Sequence, residues 1–255
     1  GQPNAMGGRE VGGLSNLLSA HRDLANPVHR AEVAALWGVA DVPSKPGKSA
    51  VEMFQAAADG AIDALWIVCT NPAQSMPDQA MVRRALERCE FVVLQEAFAT
   101  TATAPYADLL LPATTWGEKD GTVTNSERRI SRVRPAVWAA GEARHDWRIV
   151  CDIAARMGFG HAFDYAGPAA IFREHAALSG FENAGARAFD IGALAGISAA
   201  DYDALAPVQW PVNAANPAGT RRLFGDGRFF TPSGRARLVA VEAALPRHEG
   251  AAEHP

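Results

Sequence analysis

Apolar residues recur at helical spacing from Val28 to Trp37 and again from Ser49 to Asp59, with Pro43, Pro46 and Gly47 breaking the path between them. Two short helices are expected there. The period then changes. Asp63 to Thr70, DALWIVCT, is a nearly continuous apolar run of large and branched residues, the pattern of a strand buried on both faces. Asn71-Pro72 stops it, and Pro77-Asp78 opens a helix over Asp78 to Cys89 with Met81, Val82, Ala85 and Leu86 on one face. Phe91 to Leu94 predicts a second strand, and Leu109 to Pro112, started by Asp108, a third. The first two strands and their helix form a βαβ unit, whose crossover is right-handed if the strands lie parallel in one sheet.

Further on, Thr122 to Asn125 and Arg129 to Val133 alternate as a β-ribbon, with Asp120-Gly121 a turn signal at its approach. Trp147 to Met157 reads as a helix with Trp147, Val150, Cys151 and Ala154 on one face, and Ala169 to Leu178 as another. Ser198 starts a capped helix running through Asp201 to Leu205, while Gln209-Trp210-Pro211 and Gly225-Asp226-Gly227 mark turns around short strands. The fold class expected is α/β: an open, mostly parallel sheet with helices on both faces, of the dinucleotide-binding kind, plus smaller mixed α+β extensions.

Composition narrows what such a fold could do. The chain has 255 residues, 48% of them hydrophobic, a formal charge of -4 and a pI near 6.0. It can bury a sizeable core, and it carries no electrostatic footprint for nucleic acid. No apolar run approaches the length of a membrane span, and no signal peptide opens the sequence. Cys69, Cys89 and Cys151 are far apart and form no Cys-x-x-Cys pair, so they read as reduced, buried thiols. The histidines lack metal-ligand spacing, so no metal site is expected from this chain, and no Gly-x-Ser-x-Gly elbow points to a hydrolase.

In open parallel sheets, ligands sit where loops leave the carboxyl ends of the strands. Asn71 stands at the first exit and Gln95-Glu96 at the second. Asn71 offers an amide to a ribose, phosphate or base edge, or serves as a turn residue before proline. Glu96 is either a ribose-binding carboxylate or a solvated loop residue. The first exit has no G-x-G-x-x-G, which argues against an ordinary nicotinamide site. Lys119 can neutralise a pyrophosphate or lie on a surface turn. The cluster Glu127, Arg128 and Arg129 can pair with phosphates or internally. Asp146 can cap the helix that follows it or accept the N1 and N2 hydrogens of a guanine. No residue stands out as catalytic.

The run ADLLLPATTWGEKDGTVTNSERR, ending at Arg129, resembles the large subunits of molybdopterin oxidoreductases, and the opening GQPNAMGGREVGG is most similar to their assimilatory nitrate reductase branch. CTNPAQSMPD, GEARHDW and QWPVN fit the same family in the same order. The resemblance implies bis-molybdopterin guanine dinucleotide with molybdenum as cofactor, an iron-sulfur cluster in a region N-terminal to this sequence, and an internal fragment of a longer polypeptide. It implies cofactor contacts at Asn71, Gln95, Glu96, Lys119 and Asp146, and places the glycine-rich opening, with Met6 and Arg9, near a substrate funnel. The domains it suggests are a glycine-rich loop and helical lead-in over 1–48, a guanine dinucleotide-binding region over 49–160, and a mixed extension over 161–255 leading to a further C-terminal domain. The activity it implies is cytoplasmic reduction of nitrate to nitrite by oxygen-atom transfer, with electrons from a donor protein or reductase domain. The alternatives are a formate dehydrogenase catalytic subunit and a molybdenum-free scaffold of a respiratory complex.

Overall fold

A computed structural model describes residues 3–243, of which one unit runs to Arg221 and a second starts at Arg222. Gly1 and Gln2 of the glycine-rich opening lie outside the described residues. Within the rest of that opening, residues 5–10 fold as helix α1 (Ala5–Glu10), flanked by turns. Tertiary ties override the poor helix propensity of glycine here. Glu10 is buried and accepts hydrogen bonds from Thr124 Oγ1 at 2.8 Å and Trp210 Nε1 at 2.5 Å. A small ribbon, β1 (Leu17–Leu18) with β2 (Arg22–Asp23), precedes α2 (Pro27–Trp37), which starts at Pro27 after an Asn26 cap and stops at Gly38 in the left-handed region.

Helix α3 (Ala50–Ala58) opens with a capping box in which Ser49 and Glu52 satisfy each other's backbone N–H groups. Replacing Ser49 by Ala should lower stability by about 1 kcal/mol, read as a shift of the urea midpoint; an unchanged midpoint would remove the cap from the account. Strand β3 (Ala64–Val68), the short α4 (Pro72–Ser75), α5 (Gln79–Arg88) and β4 (Phe91–Glu96) complete the expected βαβ unit, with β5 (Leu109–Pro112) on its far side. Both β3–β4 and β4–β5 are parallel, in the order β3-β4-β5. Asp108 starts β5 by accepting the Val92 N–H at 2.7 Å.

Met81, Val82, Ala85 and Leu86 form the buried face of α5 as the period required, packing with Phe54, Ala57 and Ala58 of α3 over Leu65, Ile67, Val92 and Leu94. The other sheet face corrects the expectation of a strand buried on both sides. Trp66 and Val68 of β3 remain 42% and 43% exposed, so burial alternates along the strand. The later helix does not close on them. It borders a cavity of about 570 Å3 shared by Trp66, Phe91, Leu111, Ile149 and Ile153.

Strands β6 (Gly121–Thr124) and β7 (Arg129–Val133) form the antiparallel ribbon. Its connection is residues 125–128, with Arg128 at φ 70°, and Asp120 leads into β6. The charged cluster resolves as structural: Arg129 pairs with Glu127 at 2.6 Å, and Arg128 donates to the carbonyls of Trp210, Thr220 and Arg221. Helix α6 (Asp146–Ala154) buries Ile149, Cys151 and Ala154, whereas Val150, expected on that face, is exposed. Helices α7 (Pro168–Gly180) and α8 (Ala199–Asp203) match their periodic segments, the second capped by Ser198. Strand β8 (Val208–Gln209) adds to β7. Around Gly225-Asp226-Gly227, no strand forms among described residues 222–243, contrary to the turn-and-strand reading. Among the described residues no helix is long and apolar enough to cross a membrane.

Candidate functional site

Three strand exits and one strand-like segment meet at the carboxyl end of the parallel sheet. The chain leaves β3 through Cys69, whose φ of 51° is unusual for a residue with a side chain and whose N–H is held by the Gln95 carbonyl at 2.8 Å. Beyond β5, Ala113 bridges Arg144 in parallel, Arg144 N–H donates to the Pro112 carbonyl and Thr114 N–H to the Arg144 carbonyl, each at 3.0 Å. Arg144 is thus bridged to the chain leaving β5, two residues before α6 begins. That register delivers Asp146 to the site.

The helix cap is His145, and its side chain makes no capping bond; Asp146 is the first residue of α6. Its carboxylate turns away from the cap position and gathers donors from three other segments. Gln95 Nε2 donates to Oδ1 at 2.8 Å, the Cys69 thiol to the same oxygen at 3.2 Å, and Lys119 Nζ pairs with Oδ2. The cap reading of Asp146 is corrected by this geometry. Burial pushes its pKa up, but hydrogen bonds from Lys119, Gln95 and Cys69 outweigh burial and leave it below the ordinary value. Asp146 is therefore a fixed anion at neutral pH, its charge lost only as pH falls through that depressed value.

Lys119 owes its position to the turn before it. Residues Trp116–Glu118 form one 3-10 turn with a capping box: Thr115 N–H donates to Glu118 Oε2 at 2.7 Å, and Ala140 N–H donates to Oε1 at 3.0 Å. Those N–H bonds hold the buried Glu118 carboxyl below its ordinary pKa. Glu118 builds the turn, and Lys119 is what the turn presents.

These groups border a cavity of about 760 Å3 lined by Cys69, Glu96, Lys119 and Asp146 together with the aromatic rings of Phe98 and Trp116. Its size suits a nucleotide-sized ligand. Gln95 is fully buried behind Asp146, and its Oε1 has no hydrogen-bond partner among the described residues. Glu96 accepts the Ala97 N–H at 2.7 Å through one oxygen and lines the cavity.

Asn71 stands at the first exit but does not line the cavity. Its Oδ1 accepts from the Thr103 N–H and hydroxyl at 3.1 and 2.7 Å, and its Nδ2 donates to Gln74 at 2.8 Å. Met6 is half-buried and Arg9 exposed on α1, and neither reaches the cavity; from the same opening segment, Pro3 and Asn4 do. Asn4 is fixed by the Thr124 N–H at 2.8 Å, and a Cβ on Gly7 would fall 2.2 Å from its Oδ1.

Cys69 is the residue the sequence reading missed. Cys89 and Cys151 are buried as expected, but Cys69 is exposed, and the only available signal was its place immediately after an apolar strand. Although the residue as a whole is exposed, the protein packed around its sulfur, then the hydrogen bond and charge of Asp146, push its thiol up to about 12. An ordinary thiol titrates near 8.5, so Cys69 is a neutral donor. In cofactor-free protein at pH 8, iodoacetamide should modify Cys69 at least about tenfold more slowly than an unperturbed exposed thiol. Asp146→Asn should speed that reaction, and peptide mapping at timed intervals measures both; a wild-type rate equal to that of a free thiol would contradict the bond.

Residues 4–156 match the family model described as molybdopterin oxidoreductase. The chain is 50% identical over 218 residues to a nitrate reductase of Klebsiella oxytoca, covering 86% of this chain and 25% of that protein. It is 35% identical to the assimilatory nitrate reductase catalytic subunit of Bacillus subtilis over 100% of this chain and 35% of that protein. The chain thus spans a quarter to about a third of the length of these curated relatives. Acetylene hydratase from Pelobacter acetylenicus shares the fold, with a TM-score of 0.51 at 20% identity over 72% of this chain and 23% of that chain.

Proposed function

Since the chain belongs to the molybdopterin oxidoreductase family, we propose that its parallel sheet forms one wall of a molybdopterin guanine dinucleotide site. The observation that carries this reading is the convergence of Gln95, Cys69 and Lys119 on the single carboxylate of Asp146. The donor set fits that ligand. A carboxylate accepts the N1 and N2 hydrogens of guanine, whereas the corresponding edge of adenine presents an acceptor and is repelled. Lys119, exchanged from Asp146 to the ligand, neutralises pyrophosphate as a point charge. Glu96, which lines the cavity, takes ribose hydroxyls, and buried Gln95 orients Asp146 from behind. Asn71 serves the same wall by fixing residue 103 of the loop that carries Phe98.

In the full-length protein this wall serves nitrate reduction to nitrite, a reading supported by the names of the relatives reported above. When bound, the molybdenum cofactor supplies two-electron oxygen-atom transfer; the residues of this chain bind, orient and shield it. Arg9 and Met6 belong to the substrate side in this proposal, with Arg9 drawing in the anion. The iron-sulfur cluster, the electron-donor protein or reductase domain and the cytoplasmic setting rest on the resemblance alone. The test is the full-length protein produced with molybdate, assayed for molybdenum, guanine nucleotide, nitrate reduction and formate oxidation. Molybdenum with nitrate turnover supports the proposal. Formate oxidation without nitrate turnover would assign the alternative substrate, and a folded protein devoid of molybdenum would leave the scaffold reading.

A further inference from the structure

The cavity beside Asp146 has two aromatic rings that the polar contacts leave unused. Trp116 is 51% exposed and Phe98 62% exposed, on separate loops, and both line the cavity. Exposed rings gathered at one concave site mark a binding surface more often than chance exposure. Their backbones are not loose. Trp116 sits in the turn locked by the Thr115–Glu118 capping box, and the Gly117 carbonyl in that turn accepts from Ala136 N–H at 2.7 Å and Val137 N–H at 3.1 Å. Phe98 follows β4, on the loop that Asn71 fixes through Thr103.

The turn brings the indole and the ammonium to one place: Trp116 opens it, Lys119 is its C-cap, and both line the cavity where Lys119 reaches Asp146. A flat apolar face, a cation and a carboxylate thus line one cavity on neighbouring groups. They correspond to the π-face, the phosphates and the N–H edge of a guanine nucleotide. A purely aliphatic ligand would use the rings but leave Asp146 and Lys119 without a role.

We infer that Trp116 is the stacking platform for the guanine base, with Phe98 adding apolar surface in the same cavity and Asp146 reading the edge of the same ring. This inference rests on the guanine dinucleotide reading and adds the residue that supplies affinity through the face of the base, without contacts to its edge. Stacking acts on any base, and Asp146 on guanine alone, so the two residues separate in experiment.

The test uses cofactor-free full-length protein titrated calorimetrically with guanosine diphosphate and adenosine diphosphate, for wild type, Trp116→Phe and Trp116→Leu. Expected are guanosine diphosphate binding in wild type, affinity within about threefold in Trp116→Phe, and a loss of about tenfold or more in Trp116→Leu, the scale of one base–aromatic stack. Quenching of tryptophan fluorescence by guanosine diphosphate should also disappear in Trp116→Phe although binding persists, a readout independent of whether the leucine variant folds. Wild-type affinity retained in Trp116→Leu, or quenching unchanged in Trp116→Phe, would overturn the stacking role and leave the guanine reading intact. Absence of guanosine diphosphate binding in wild type would overturn both.

Discussion

Full-length protein carrying Asp146→Ala is expected to lose its molybdenum and guanine nucleotide together, down to background per chain. The carboxylate is the common acceptor for Gln95, Cys69 and Lys119. Its removal leaves Lys119, which is only 26% exposed, without its partner, and takes away the group proposed to read the guanine edge. Truncating one member of a hydrogen-bonded, desolvated charge pair at a binding site costs about 2–5 kcal/mol, roughly thirtyfold or more in affinity. Lys119→Ala should weaken retention less, because it spares the base-reading group. The measurement is metal analysis and released guanine per folded chain, alongside circular dichroism to confirm folding. A folded Asp146→Ala protein with full molybdenum and guanine would remove Asp146 from the site. Acid should mimic the substitution: the Asp146 carboxyl has a depressed folded pKa, so its contribution is present above the ordinary carboxylate range near 4 and lost as pH falls through the folded value.

The second large effect concerns stability. Arg22 is 0% exposed. Its Nε donates to Glu32 at 2.6 Å, Nη1 to the Leu178 carbonyl at 2.9 Å, and Nη2 to the Phe181 carbonyl at 2.6 Å. It therefore ties the β1–β2 ribbon to α2 and to the end of α7. Arg22→Met should destabilise by about 3–5 kcal/mol, because it strands a nearly buried carboxylate and two carbonyls. Arg187, 3.4 Å from the same Glu32 oxygen, compensates only in part. Adding Glu32→Leu should recover much of the loss, since a well-packed apolar pair replaces a buried ion pair at little cost. Urea unfolding of both variants decides the matter; a single substitution within 1 kcal/mol of wild type would show that the guanidinium is dispensable.

Arg22 also shows where sequence reading stops. The hydrophobic period found α5 with its buried face, the parallel βαβ unit, the β6–β7 ribbon and α7, because each repeats a spacing that only one local geometry can bury. Motif order supplied the family and most of the candidate residues on the same ground: Gln95, Glu96, Lys119 and Asp146 all lie at the carboxyl end of the sheet. What period cannot say is which element covers a face. Trp66 and Val68 have the composition of a doubly buried strand, yet remain half-exposed: Trp66 faces α6 across a cavity, and Val68 opens on the cavity of the candidate site.

Contacts between segments distant in sequence are equally silent in the pattern. The glycine-rich opening becomes helix α1 because buried Glu10 is held by Thr124 and Trp210, 114 and 200 residues away. Asp146 looked like a helix cap, since acidic residues at a helix start are commonly caps. Its true partners lie 77, 51 and 27 residues earlier. The α/β class, the family and the neighbourhood of the candidate site are legible in local spacing and ordered motifs. That Cys69 donates to Asp146, that Asn71 is held by Thr103 and that Arg22 belongs to the core emerges from the fold, because these roles depend on which polar groups meet across distant segments.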